Sequence, residues 1–179
     1  MKNIFSTEER IKILRSIVFR TGPISVNATA INLKLSKGLI SIYFNILVKE
    51  GILKRSKNKF IMLDSPLVKG IKILLNIESF PSKIFRKFPF VVSAGLYGSS
   101  IKGENIEDSD TDIWIKVKDV EEGKLASLSS QLNKKIKHAK ILFLTEKKIK
   151  ELQKEDEMFY HSLTFGSIII YGEKNGIQI

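Results

Sequence analysis

Ile11, Leu14, Ile17 and Val18 recur at the three- and four-residue spacing that lines one face of a helix. That stripe predicts a helix over residues 7–20. Ser6 or Thr7 can cap it, Glu8 and Glu9 suit the positive end of its dipole, and Gly22-Pro23 stops it. A shorter helix is predicted over 25–34, with Ala30 and Leu33 inward. After a turn at Leu35-Ser36, Ile40, Phe44 and Leu47 mark a third helix over 36–50, closed by Gly51. Tyr43 on that helix is expected to pack rather than project. The period then shortens. Residues 52–55 and 60–63 flank a polar turn and read as a β-hairpin.

Asp64-Ser65-Pro66 interrupts the pattern and predicts a domain boundary. A linker helix is expected over 67–77, with Leu67, Ile71, Leu74 and Leu75 on one side. That stripe can pack on either domain or on a second copy of the chain, so a homodimer is among the expected partners. Residues 81–89 read as an irregular connection carrying Lys83, Arg86 and Lys87, which are either solvated or in reach of a phosphate. Strands are predicted over 90–97, up to Val117, over 139–144 and over 167–172. Helices are predicted over 124–137, with Leu125, Leu128, Leu132 and Ile136 inside, and over 146–158, with Thr145 as cap. His138 is expected at the surface, and His161 in a packing or capping role.

The hydrophobic content of 43% is enough for real cores. With no cysteine among 179 residues, a disulfide framework and a thiolate metal site are both excluded. No apolar run approaches the ~18–20 residues of a membrane span, and the early Glu8, Glu9 and Arg10 do not suit a signal peptide. A soluble cytoplasmic protein without membrane contact is expected. The net charge of +11 is unevenly placed. The first 63 residues hold 12 Lys/Arg against three acids, and the remainder 18 against 16. Such an excess on one part of the chain predicts a nucleic-acid surface there.

The chemistry concentrates between Gly98 and Val117. Asp110 and Asp112 enter a strand two positions apart, so both carboxylates share a face while Ile113, Ile115 and Val117 take the other. Trp114 lies on the carboxylate face, where packing beneath the site is favoured over stacking on a base. Two acids on one face repel unless a cation lies between them, and hard oxygen ligands suit Mg²⁺. The Gly98-Ser99 turn can offer backbone N–H groups and a hydroxyl to phosphate. Together these predict a nucleoside triphosphate as ligand.

Gly98-Ser99, ten intervening residues and then Asp110-Thr111-Asp112 resemble the polymerase-beta-like nucleotidyltransferase superfamily. The resemblance implies an α+β fold with a small mixed sheet flanked by helices. It implies Asp110 and Asp112 as catalytic Mg²⁺ ligands and Gly98 and Ser99 as phosphate-binding residues, with Ser100 and Lys102 of the adjoining loop assisting. The family also places a third carboxylate on a later strand. Here that strand, 138–145, has no acid, and Lys140 falls nearest the expected place. A protonated lysine cannot ligate Mg²⁺; it can neutralise an Asp carboxylate in place of a second metal, or meet phosphate as a point charge. Glu104, Glu107 and Asp108 in the spacer are alternative ligands.

Residues 5–63 resemble a winged helix-turn-helix domain, on the run from Leu35 to Ser41 and the passage from Leu47 through Arg55. The resemblance implies that the third helix enters the DNA major groove, with Ser36, Lys37, Ser41 and Asn45 facing it, and that Lys54, Arg55, Lys57 and Lys59 meet phosphates. Ile42 sits where an exposed Arg or Lys would read bases better. The expected organisation is a DNA-binding domain over 1–64, a linker helix over 65–82 and a nucleotidyltransferase domain over 83–179. Two functions fit. One is a Mg²⁺-dependent nucleotidyltransferase acting on a protein or other acceptor. The other is a transcriptional regulator whose transferase fold only binds nucleotide or is inactive.

Overall fold

The computed structural model describes residues 3–172. The chain divides into two compact units, Met1–Leu75 and Asn76–Ile179. Among the described residues no helix is long and apolar enough to cross a membrane.

The first unit opens with α1 (Glu8–Ile17), α2 (Val26–Leu33) and α3 (Lys37–Lys49). Thr7, Ser25 and Ser36 each stand in extended backbone, and each side-chain oxygen accepts from the backbone N–H three residues on. Such caps satisfy donors that the helix itself cannot. The hairpin strands β1 (Leu53–Ser56) and β2 (Lys59–Met62) follow. Phe60 also bridges antiparallel to Ile24, so the segment before α2 is stitched to the hairpin. Ile13, Leu14, Ile17, Ile40, Phe44, Leu47 and Ile52 are wholly buried together. Tyr43 is buried with them, and its hydroxyl donates to the Ile4 carbonyl at 2.9 Å. Burial pushes the Tyr43 phenol well above its ordinary range.

Ser65-Pro66 turns out to start a helix as well as end the hairpin. Pro66 is the first residue of α4 (Pro66–Ser79), where its missing N–H costs nothing, and the Ser65 hydroxyl accepts from Val68 N–H at 3.3 Å. Val68, Ile71 and Leu75 join the first core, whereas Leu74 is 52% exposed. The last turn, from Asn76, belongs to the second unit.

The second unit continues through a 3-10 turn at Ser82–Lys87 into β3 (Val91–Tyr97), α5 (Ser99–Lys102), β4 (Thr111–Val117), α6 (Glu122–Asn133), β5 (Ala139–Leu144), α7 (Glu146–Glu155), α8 (Glu157–Phe165) and β6 (Ile168–Tyr171). Its sheet has the order β5-β4-β3-β6. β3 runs antiparallel to both β4 and β6, and β4 runs parallel to β5. This is the expected small mixed sheet flanked by helices. Ile113, Ile115 and Val117 face one core with Leu96, Leu128 and Leu132. Trp114 faces the other with Leu144, Ile149, Tyr160 and Leu163.

The helix expected over 146–158 is two helices. Asp156 breaks it at φ −144°, and its side chain accepts from Phe159 N–H at 3.0 Å to start α8. An aspartate that caps a new helix offers the backbone an alternative to continuing the old one. His138 is exposed, as expected. His161 is exposed too rather than packed in a core. Its ring stacks on Phe165 at 5.7 Å, and its Nε2 lies 3.5 Å from Glu157.

Candidate active site

β3 ends at Tyr97, and the chain reverses at Gly98 into the single helical turn α5. Gly98 has φ +69°, a conformation that only glycine adopts without strain. A Cβ there would also collide with Oδ2 of Asp112. Glycine is therefore required twice over at this position, once for the turn and once to let a carboxylate approach the backbone. The expected loop is thus a helical start, with Ser99 and Ser100 in its first positions and Gly103 closing it at φ +67°.

Asp110 and Asp112 flank Thr111 at the start of β4. Lys140 on β5 is the register partner of Asp112. On neighbouring parallel strands such partners share a face, and the Lys140 ammonium reaches Asp110 Oδ2 at 2.6 Å. Three effects meet on Asp112. Burial raises its pKa, the Lys140 ammonium pulls it back, and the Asp110 carboxylate raises it again, for a net upward shift. The hydrogen bond and charge of Asp110 hold Lys140 above its ordinary range. The ammonium is thus a fixed positive charge at any ordinary pH.

A family model described as polymerase beta nucleotidyltransferase matches residues 82–175, more than half of the 179-residue chain. The chain belongs to that family. No curated protein matches it.

The nucleotidyltransferase unit places its other expected site residues unequally. Ser100 is buried, and its carbonyl accepts from the Asn76 side chain at 2.8 Å. Asn76 and Asn105 also exchange amide hydrogen bonds at 3.1 and 3.2 Å. This clamp pins α5 and the loop after it, and no sequence motif announced it. Lys102 is exposed. Asp108 pairs with Lys137 at 3.0 Å. Among the described residues no three acidic or histidine side chains gather in a metal-ligand cluster. Trp114 is fully buried and packs against Gly95, where a Cβ would run into its indole, so packing is its role. Tyr97 is a residue the sequence did not flag. It pairs in register with Asp112, and its phenol pKa is raised by burial and by the Asp112 charge, with Lys140 opposing.

In the N-terminal unit, Ser36, Lys37 and Ser41 are exposed on the first half of α3, and Ile42 is 61% exposed beside them. Ser36 is at the same time the helix cap. Lys54, Arg55, Lys57 and Lys59 are all exposed on the hairpin. Asn45 is half-buried. Its Oδ1 accepts from Arg55 Nη2 at 2.5 Å, and the same guanidinium lies over the Phe60 ring. Helix and hairpin thus present their polar groups as one linked surface.

Proposed function

We propose that the C-terminal unit moves a nucleoside monophosphate from a nucleoside triphosphate to an acceptor, with Mg²⁺, and that the N-terminal unit is a winged helix-turn-helix domain that binds double-stranded DNA. The observation that carries the first half is the approach of Asp112 to Gly98. It brings a carboxylate against the turn that opens α5, with Asp110 alongside. The donor set fits a divalent cation: Asp110 and Asp112 offer hard carboxylate oxygens two positions apart, and Asp112, whose pKa is raised chiefly by burial and further by the Asp110 charge, gains from a cation beside it. Asp110 and Asp112 would hold the ion, which when bound supplies positive charge to the reacting phosphate. The backbone of Gly98 and Ser99 orients the triphosphate tail. The Asn76–Asn105 clamp keeps that turn rigid, and Lys140 contributes a fixed ammonium at the edge of the site.

Support for the DNA-binding half is the coincidence of charge and exposure. The hairpin lifts four cations into solvent, next to the exposed first half of α3, in the part of the chain that carries most of the basic excess. The Ile24–Phe60 bridge ties the segment before α2 to that hairpin. One observation favours a second reading. Lys140 stands where a further acid would assist turnover, which suits a DNA-binding regulator that binds nucleotide without transferring it.

Incubation with α-labelled nucleoside triphosphates and Mg²⁺ separates the two. Label on a protein acceptor, lost in Asp110→Asn, is the expected result for the transferase. Salt-dependent duplex binding that survives Asp110→Asn, with no transfer from the native chain, identifies the regulator instead.

A further inference from the structure

We propose that the site takes one divalent cation rather than two, and that the Lys140 ammonium is a tethered second cation. The inference rests on the nucleotide-binding reading above and specifies its metal content. Two observations carry it. The β4–β5 register sets Lys140 beside Asp112, so the backbone itself delivers the lysine to the carboxylate face. The ammonium then closes on Asp110 Oδ2 at 2.6 Å, the length of a charge-assisted hydrogen bond.

A pair of ions in such sites lies about 3.5–4 Å apart, so both would sit close to the same two carboxylates. Here one oxygen of Asp110 is already bonded to a positive group. A second divalent ion on that oxygen would meet the ammonium at short range, and like charges that close repel strongly. Among the described residues no third acid or histidine joins the pair to outweigh this repulsion, and Asp108 pairs with Lys137 instead. Asp112, with one oxygen against Gly98, and the other oxygen of Asp110 are left for a single ion. Lysine is suited to the second place. It is a compact point charge on a flexible stem, and it brings one positive charge where a metal would bring two.

Counting bound Mn²⁺ by electron paramagnetic resonance tests this on the full chain with a non-hydrolysable nucleoside triphosphate analogue. The native complex is expected to retain one Mn²⁺. Lys140→Asp, which exchanges the ammonium for a carboxylate, is expected to retain two. Lys140→Gln removes the charge without adding a ligand; it should keep one ion and bind the analogue about tenfold more weakly. Circular dichroism of both variants confirms folding, which an exposed strand position should preserve. Two ions in the native complex overturn the inference and leave the nucleotide-binding reading standing. One ion in folded Lys140→Asp overturns the claim that the lysine excludes the second. Retention of neither Mn²⁺ nor nucleotide by the native chain removes the underlying reading as well.

Discussion

Asp112 is held in its ionised form against the preference of its surroundings. Its pKa is raised above the ordinary 3.8, chiefly by burial, so the folded chain binds a proton there more readily than the unfolded chain does. A group of this kind adds stability below its unfolded-state pKa, and that stability is lost as pH rises through the folded value. Asp112→Asn is uncharged at every pH. It is therefore expected to melt higher than the native chain at pH 7, with the gain vanishing below about pH 3.8, while transfer is lost throughout. Thermal melts across that range check it, and an unchanged melting temperature at pH 7 contradicts it. Gly98→Ala is expected to abolish nucleotide binding, read by calorimetry, because both the turn and the Asp112 approach need the missing Cβ. At this scale the sequence was informative where spacing fixes geometry. Alternation alone put Asp110, Asp112 and Trp114 on one face, and the family's expected third-carboxylate position brought Lys140 near them. Tyr97 and the Asn76–Asn105 clamp were not legible, since their roles arise from cross-strand register and from a contact 29 residues apart in the chain.

Helices announced by a clean stripe and a cap were readable. Thr7, Ser25, Ser36 and Thr145 all cap where a short polar side chain precedes an apolar run. The failure came at α8. Its sequence mixes Met158, Tyr160, Leu163 and Phe165 without a single face, and Met158 and Phe165 are largely exposed. Hydrophobic period therefore could not separate it from α7, and the deciding feature was the side chain of one aspartate. Asp156→Ala is expected to destabilise the second unit by about 1 kcal/mol, the usual worth of a lost helix cap, as measured by urea denaturation. Asp156→Asn, which keeps the acceptor oxygen, should be close to native.

Each of the two units has a hydrophobic core of its own, and the chain is expected to unfold in two calorimetric steps rather than one. Ile17→Ala, at a wholly buried site of the first core, is expected to lower one step by about 2–5 kcal/mol and leave the other in place. A single cooperative transition that shifts as a whole contradicts this. The steps can be told apart without labels. The sequence has one tryptophan, and Trp114 is sealed in the second unit against Gly95. Its emission is therefore a native optical gauge confined to the nucleotidyltransferase unit. A red shift on heating or on adding denaturant will time the opening of that unit alone, and the N-terminal unit will melt in the dark.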